Sequence, residues 1–367
     1  MNKKKVVAII ASMAMVASLF VGCGKTKDEN ANKPATEQAQ KGKDIKIGLS
    51  TDEGGLNDKS FNQSANAGIK EAQKETGVQY FPIESQKKED YEANLQSLAL
   101  DQECDLTFGI GFQMQKAMEN IAKANSDKKF AIVDAVVEKP NVQSLMFKEH
   151  EGSFLVGVVA AKMSKTNKIG FIGGKDFPLI NRFAAGYIAG ARAVNPDIKV
   201  VVKYADSFGD TNKGYEIAKT EYNEGCDIVF HAAGGVGIGL FKATKELRNA
   251  GKNVWAIGVD QDQAVAITDD KGKPMYDDVI LTSMMKRVDT ATKQAVLDIV
   301  NDKFEGGKTH VFGLKEDGVG IAPSSKKNVP KEVLDLVKKY EDAIKTGKIE
   351  VPETKEEAGK FKTDVVK

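Results

Sequence analysis

The sequence predicts an α/β fold in two similar lobes, each built on a parallel sheet. Three observations carry this. From Asp44 onward, short apolar runs alternate with amphipathic stretches of helical spacing, the pattern of βαβ units. The alternation occurs twice, with strand motifs that match in order. The body that follows the N-terminal leader is roughly 300 residues long, enough for two lobes with cores of their own.

The leader begins Met1-Asn2-Lys3-Lys4-Lys5, then runs apolar from Val6 to Phe20, then reads Val21-Gly22-Cys23. The apolar run is shorter than the roughly 20 residues a membrane-spanning helix needs. A basic start and a small residue before the break make a secretory signal over residues 1–22. A cysteine directly after the small residue resembles a bacterial lipoprotein signal. Phe20 departs from that pattern, because the leucine, Leu19, stands one place early. The alternative is an ordinary signal peptide with an incidental Cys23. Residues 24–43 are polar and charged, with no large apolar side chain. Such a segment cannot bury enough surface to offset its ordering entropy, so it is expected to be a disordered tether. Cys23 would then be the lipidated, palmitate-bearing N-terminus. It would hold the domain at the outer face of the bacterial cytoplasmic membrane.

The first series has strands at Ile45–Leu49, Val78–Ile83, Asp105–Ile110 and Phe130–Val133. Helical patterns lie between them at about Ser60–Thr76, Glu89–Leu100 and Met114–Ala124. A helix-like stretch after Glu151 leads to the second series. Its strands are Ile169–Ile172, Ile198–Lys203, Asp227–His231 and Val254–Val259. Its helices lie near Asn181–Ala193, Lys213–Asn223 and Gly239–Asn249. Cys104-Asp105-Leu106-Thr107-Phe108 parallels Cys226-Asp227-Ile228-Val229-Phe230, and Ile45–Leu49 parallels Lys168–Ile172. Each cysteine heads a matching strand, so two separated buried thiols are expected. A strand at Val279–Met284 and a helix at Val288–Val300 are expected to cross back to the first lobe, making a hinge. Lobe 1 would hold about 44–150 and 287–304. Lobe 2 would hold about 151–286 and part of the C-terminal region up to 352. Residues 353–367 read as a charged tail. The formal net charge is +1, with both signs interspersed, and nothing forms the basic stripe of a nucleic-acid binder.

Strand ends supply the candidate site residues, because open α/β sheets bind ligands there. Ser60-Phe61-Asn62-Gln63 fits a capping box, with Ser60 at N-cap and Gln63 at N3. Phe61 then stands at the helix mouth, either packed under the first turn or facing a ligand. Phe208 repeats the situation, with Ser207 before it and Asp210 three places after that serine. Two lobes that each raise an aromatic ring could close on a flat ligand from both sides. Asp260 ends an apolar strand, either to accept hydrogen bonds from a vicinal diol or to cap the segment that follows. Asp134 ends a strand of the other lobe in the same manner, and Asp52 follows the first strand. Lys286, after a strand end, either bonds a sugar hydroxyl or forms a hinge salt bridge.

Gly234-Gly235-Val236-Gly237-Ile238-Gly239-Leu240 follows a strand and precedes a helix, with Asp260 about two dozen residues on. Its spacing is wrong for a dinucleotide fingerprint, because Leu240 occupies the third glycine's place. Close backbone approach to a ligand is the simpler role. The three histidines have no metal-like spacing, and no Gly-x-Ser-x-Gly elbow occurs. No catalytic residue, metal or cofactor is expected.

Motifs spread along the body carry a family resemblance. They are Asn57-Asp58-Lys59-Ser60-Phe61-Asn62-Gln63, Glu151-Gly152-Ser153-Phe154-Leu155-Val156-Gly157 and Ile169-Gly170-Phe171-Ile172-Gly173-Gly174. Arg182-Phe183-Ala184-Ala185-Gly186-Tyr187, Ile257-Gly258-Val259-Asp260-Gln261-Asp262-Gln263 and Thr282-Ser283-Met284-Met285-Lys286-Arg287-Val288 complete the set. With these the chain resembles the basic membrane protein family of substrate-binding lipoproteins, the group that includes the purine nucleoside receptor A type. The resemblance implies a type I periplasmic-binding-protein fold, two Rossmann-like lobes joined by a multi-crossover hinge. It also implies a nucleoside between the lobes, with guanosine, inosine and adenosine as the expected ligands, delivered to ABC permease and ATPase subunits. A monomer is expected. The ring stackers would be Phe61 and Phe208. The ribose holders would be Asp260 and Lys286, with a backbone contact from Gly234. Asp52 and Asp134 would read the base, and Asn57 would join the ligand-binding set. Phe183 competes as a ring contact but is expected to pack within its own helix.

Three other readings remain at this point. A receptor for another small ligand, such as a sugar, shares the fold. An exported nucleoside-cleaving enzyme would need a general acid or a metal-bound water, and no suitable cluster stands out. An adhesion or signalling lipoprotein would keep the fold with a filled cleft.

Overall fold

In the computed structural model, which describes residues 41–366, the chain forms two six-stranded sheets flanked by helices. The predicted signal, Cys23 and the tether up to residue 40 lie outside the described residues. The end of the predicted tether is already bonded to the body: the Gly42 amide donates to the Thr76 carbonyl at 3.1 Å.

The first series runs β1 (Lys46–Ser50), α1 (Phe61–Thr76), β2 (Gln79–Ile83), α2 (Asp90–Gln96), β3 (Leu106–Ile110), α3 (Gln115–Ala124), β4 (Phe130–Val133) and β5 (Val142–Phe147). The second runs α4 (Glu149–Met163), β6 (Lys168–Gly173), α5 (Pro178–Val194), β7 (Lys199–Tyr204), α6 (Thr211–Asn223), β8 (Ile228–Ala232), α7 (Val236–Asn249), β9 (Trp255–Asp260), α8 (Gln263–Ala266) and β10 (Ile280–Lys286). Then come α9 (Val288–Val300), β11 (Thr309–Phe312), β12 (Val319–Ile321), α10 (Lys331–Lys345) and α11 (Lys355–Lys360).

The sheet orders are β11-β5-β4-β3-β1-β2 and β12-β10-β9-β8-β6-β7. Every pairing is parallel except β10 with β12. Read position by position, β1 corresponds to β6, β3 to β8, and β4 to β9. The strand parallels seen in the sequence are therefore topological equivalents. Cys104 and Cys226 lie just ahead of β3 and β8, both buried and both free. The two Ser-Phe junctions are not equivalents: one joins β1 to α1, the other β7 to α6.

Local sequence explains these elements. β3 and β8 are buried on both faces and read as apolar runs interrupted only by Thr107 and His231. β2 lies at a sheet edge, where Pro82 removes no needed ladder donor. α4 is apolar all round and buried along nearly its whole length. It crosses α5 so closely that a Cβ on Gly190 would lie 1.9 Å from the Phe154 carbonyl oxygen. Only a residue without a side chain permits that approach.

Three crossings join the lobes: β5 to α4, β10 to α9, and β11 to β12. α9 packs on α1 of the first lobe, as the predicted return requires. The return runs further than predicted, because β11 adds to the first sheet beside β5. The segment after Pro352 is not a loose tail up to residue 361. There α11 packs on α5, and Phe361 sets its ring edge on Phe154 at 5.8 Å.

Candidate functional site

A cleft partly open to solvent lies between the lobes at the C-terminal ends of their strands. Of the eight predicted ligand-binding residues, seven line it: Asp52, Phe61, Asp134, Phe208, Gly234, Asp260 and Lys286. Asn57 does not. It is exposed on the outer side of its loop, and its neighbour Asp58 turns inward with Asn62.

The floor of the cleft is a charge cluster at the hinge. Lys286 ends β10 and is 1% exposed. Its Nζ donates to Asp134 Oδ2 at 2.6 Å and stands 3.5 Å from Glu149 Oε1. The rings of Phe61, Phe147 and Phe183 surround it, with centroids 5.0, 5.1 and 5.5 Å from Nζ. Burial opposes the charge, but Asp134, Glu149 and Asp260 together outweigh it and raise the pKa of the amine. Arg182 Nε donates to the other Glu149 oxygen at 3.1 Å. Lys286 therefore forms the hinge salt bridge, one of its two predicted roles, and it also lines the cleft. Asp134, predicted as a base reader, stands with Lys286 rather than with Asp52. Its Oδ1 has no hydrogen-bond partner among the described residues. Burial pushes its pKa up to about 6, against the pull of Lys286.

Asp134 and Asp260 end equivalent strands, and both take left-handed backbone angles, with φ of 68° and 64°. Such conformations at non-glycine residues are costly and persist where surrounding structure enforces them. Here they aim two carboxylates into the cleft from opposite lobes. Burial also raises the pKa of Asp260.

A second polar group sits in the first lobe. The Asp58 carboxylate accepts the amides of Ser60, Asn62 and Gln63 at 2.9, 2.8 and 3.0 Å. It therefore does the capping predicted for Ser60. The Ser60 side chain makes no cap bond and donates instead to Asp260 of the other lobe. Asn62 Nδ2 bridges Asp52 at 2.7 Å and Asp58 at 3.2 Å, leaving its own Oδ1 without a partner. Burial pushes Asp58 up to about 7 and raises Asp52 as well.

The apolar walls come from both lobes. Phe61 is the first residue of α1. Phe208 lies in the loop ahead of α6, three residues earlier than a capping box at Ser207 would allow. Asp210 is the true N-cap, accepting from the Asn212 and Lys213 amides. Phe208 packs flat enough on Gly174 that a Cβ there would come within 2.2 Å of its ring. Phe183, which the sequence leaves between packing on its helix and contacting a ring, packs in the core and also lines the cleft with Leu179 and Ile180. Phe112 of lobe 1 meets Phe177 and Phe208 of lobe 2 edge-on, at 5.2 and 6.4 Å. Further out, Lys175 Nζ bonds Glu53 at 3.2 Å across the cleft. Gly234, with φ of 56°, brings its backbone to the wall.

The family model of PnrA-like ABC transporter substrate-binding proteins matches residues 45–355. This chain belongs to that family. An ABC transporter nucleoside-binding protein, BmpA, of Lactococcus lactis is 40% identical over 361 residues, covering 95% of this chain and 99% of the relative. A CD4+ T-cell-stimulating antigen of Listeria monocytogenes is 38% identical over 365 residues, covering 96% and 99%. A solved ABC transporter solute-binding protein from Aeropyrum pernix superposes with a TM-score of 0.77 at 27% identity, covering 86% of this chain and 96% of that one. The protein is thus the substrate-binding component of an ABC transporter, with the periplasmic-binding-protein fold. Among the described residues no helix is long and apolar enough to cross a membrane.

Proposed function

We propose that this PnrA-like protein is the nucleoside receptor of an ABC importer, held at the outer face of the cytoplasmic membrane by lipid on Cys23. One observation carries the nucleoside reading. The cleft combines aromatic walls from both lobes with two separate polar groups, one per end of a nucleoside. Phe61 and Phe208 take the two faces of a planar base. Asp134, Asp260 and Lys286 take the ribose hydroxyls, because carboxylates accept from a diol and the ammonium donates. Asp52, Asp58 and Asn62 take the base edge. The relative named as a nucleoside-binding protein supports the same reading.

The Lys286 charge is already shared by Asp134 and Glu149, and Lys175 at the rim is paired with Glu53, so among the described residues lining the cleft none offers a surplus cation to a phosphate. An uncharged nucleoside suits it better than a nucleotide. Binding works through hinge closure: ligand bonds both lobes at once and so favours the closed state over the open one.

Calorimetry with guanosine, inosine, adenosine and uridine tests the reading. Saturable binding of at least one purine nucleoside is expected, and Asp260→Ala is expected to weaken it at least a hundredfold, the scale of two hydrogen bonds to a charged group. Binding of a free sugar or amino acid and of no nucleoside would sink the proposal.

A further inference from the structure

The turn that carries Asp260 is tied across the cleft by residues that do not line it. Gln261 Nε2 donates to the Ser60 carbonyl at 2.7 Å, and Gln263 Nε2 donates to the Lys59 carbonyl at 2.8 Å. Ser60 Oγ donates to Asp260 Oδ2. All three bonds run between lobe 2 and the start of α1 in lobe 1. None of Ser60, Gln261 and Gln263 is a wall residue of the cleft.

The turn itself is two tight turns in succession. The Gln261 amide donates to the Val259 carbonyl at 2.7 Å around Asp260, whose φ is 64°. The Gln263 amide donates to the Gln261 carbonyl at 2.8 Å around Asp262, at φ −70° and ψ 78°. The second is the common inverse γ-turn, and the first is the rare, strained kind with positive φ. Something must hold the strained one.

Gln263 is placed to do so. It is fully buried, and its Oε1 accepts the Val259 amide at 2.8 Å. His231 Nε2 lies 3.0 Å from the same oxygen, so His231 must donate there, which leaves its Nδ1 as the bare nitrogen. Two donors on Oε1 fix the amide's orientation and leave Nε2 aimed at Lys59. Lys59 is itself left-handed, with φ of 57°. Strained residues thus meet on both sides of the contact.

We propose that Gln261, Gln263 and Ser60 form an interlobe latch that holds Asp260 in its binding conformation and sets the population of the closed state. They are positioning residues, acting on ligand affinity without touching ligand. The proposal rests on the reading of the cleft as a hinge-closed ligand site. It goes beyond that reading in giving the protein a closing contact of its own.

Because the latch bonds only protein, its loss reduces affinity by one common factor for ligands that share the same ribose contact to Asp260. Gln261→Ala and Gln263→Ala are each expected to weaken guanosine and inosine binding by the same factor, about three- to tenfold, the net worth of one hydrogen bond. Small-angle scattering of the ligand-free variants is expected to show a larger radius of gyration than wild type. A merely structural role would lower the melting temperature and leave that radius unchanged. Gln261→Ala, at a half-buried position, decides the matter if Gln263→Ala does not fold. Unchanged affinity and an unchanged radius in a folded variant would overturn the latch. If wild type binds none of the four nucleosides, the nucleoside reading fails, and the scattering comparison still decides the latch.

Discussion

Lys286 carries its charge where a lone ammonium could not stay ionised. It is almost wholly buried, and its stability there depends on Asp134 and Glu149, which are 4% and 0% exposed. Removing one partner of such a cluster costs more than the pair contributes, because the other charges remain buried and unpaired. Lys286→Met is therefore expected to lower stability by about 3–5 kcal/mol near neutral pH. The pH dependence follows from the sign of the shift at Asp134. A carboxyl whose folded pKa is raised adds stability below its unfolded pKa and loses it as pH rises through the folded one. For Asp134 in wild type that window runs from 3.8 to about 6. Without the lysine the window extends upward, so the deficit of the variant is expected to be small near pH 4 and large near pH 7. Thermal unfolding across that range reads it. A deficit that does not change with pH would mean that the carboxylates are not what the lysine stabilises. At the same scale, the sequence makes Asp134, Asp260 and Lys286 candidates, because strand ends are visible as the ends of apolar runs. It does not reveal Glu149, which enters the site only because the hinge brings the start of α4 beside β10. Nor does it reveal that Asp58 caps α1. Ser60 and Gln63 carry the local capping signature, but Asp260, two hundred residues away in the chain, takes the serine hydroxyl.

At the scale of elements, α6 under β6 shows a polar group held by packing rather than by partners. Glu221 is fully buried on α6. A Cβ on Gly170 of β6 would lie 2.4 Å from its Oε2, so the strand glycine makes the room that the carboxyl fills. Neither oxygen has a well-formed hydrogen bond, and burial pushes the group up to about 9. It is therefore uncharged at neutral pH in the fold and charged in the unfolded chain. By the same sign rule, its contribution is present below 4.5 and lost as pH rises through about 9. Glu221→Gln, which cannot ionise, is expected to melt higher than wild type above about pH 7, by a margin that grows with pH and closes near pH 4. A constant margin would show that the effect is one of shape and not of charge. The elements themselves were mostly legible. Buried parallel strands read as mostly apolar runs, and the two series match because β1 and β6, and β3 and β8, hold equivalent places. β11 and β12 were not foreseen. They are short and only partly buried, and their pairing depends on where the chain goes after crossing the hinge. Phe183 shows a related limit: helical spacing identifies the buried face of α5, but not that its first turns border a cleft.

The whole molecule repeats one sheet order twice and threads the hinge three times, so the strands that end in the site also connect the lobes. Lys286 and Phe147 end the equivalent strands β10 and β5, and each is followed within two residues by a crossing. In the hinge-closing mechanism proposed above, the residues that form the floor of the cleft are therefore the ones about which the two sheets would turn. The C-terminal segment belongs to this picture differently. From Glu353 to Phe361 its contacts lie on lobe 2: Lys355 Nζ donates to Tyr204 Oη at 2.8 Å, Ala358 is fully buried, and Phe361 packs on Phe154. Phe154 also stacks at 5.5 Å with Tyr340 of α10, so the segment completes an aromatic cluster over α4. No residue of it lines the cleft. Its composition hid this, because one alanine and one phenylalanine among charged residues make no visible apolar stripe. Ending the chain after Pro352 is expected to cost about 2–4 kcal/mol, the worth of burying a phenylalanine and an alanine with part of the surface beneath them. Ligand affinity at a temperature where the truncated protein stays folded is expected to remain within about twofold of wild type, since the segment neither crosses the hinge nor touches the cleft. The opposite pattern, weak binding at full stability, would give the segment a different role. Lys355 also stands 3.9 Å from Asp176, in the loop that carries Lys175 and Phe177 to the rim of the cleft. In that case the segment would act on closure through this loop rather than on the core.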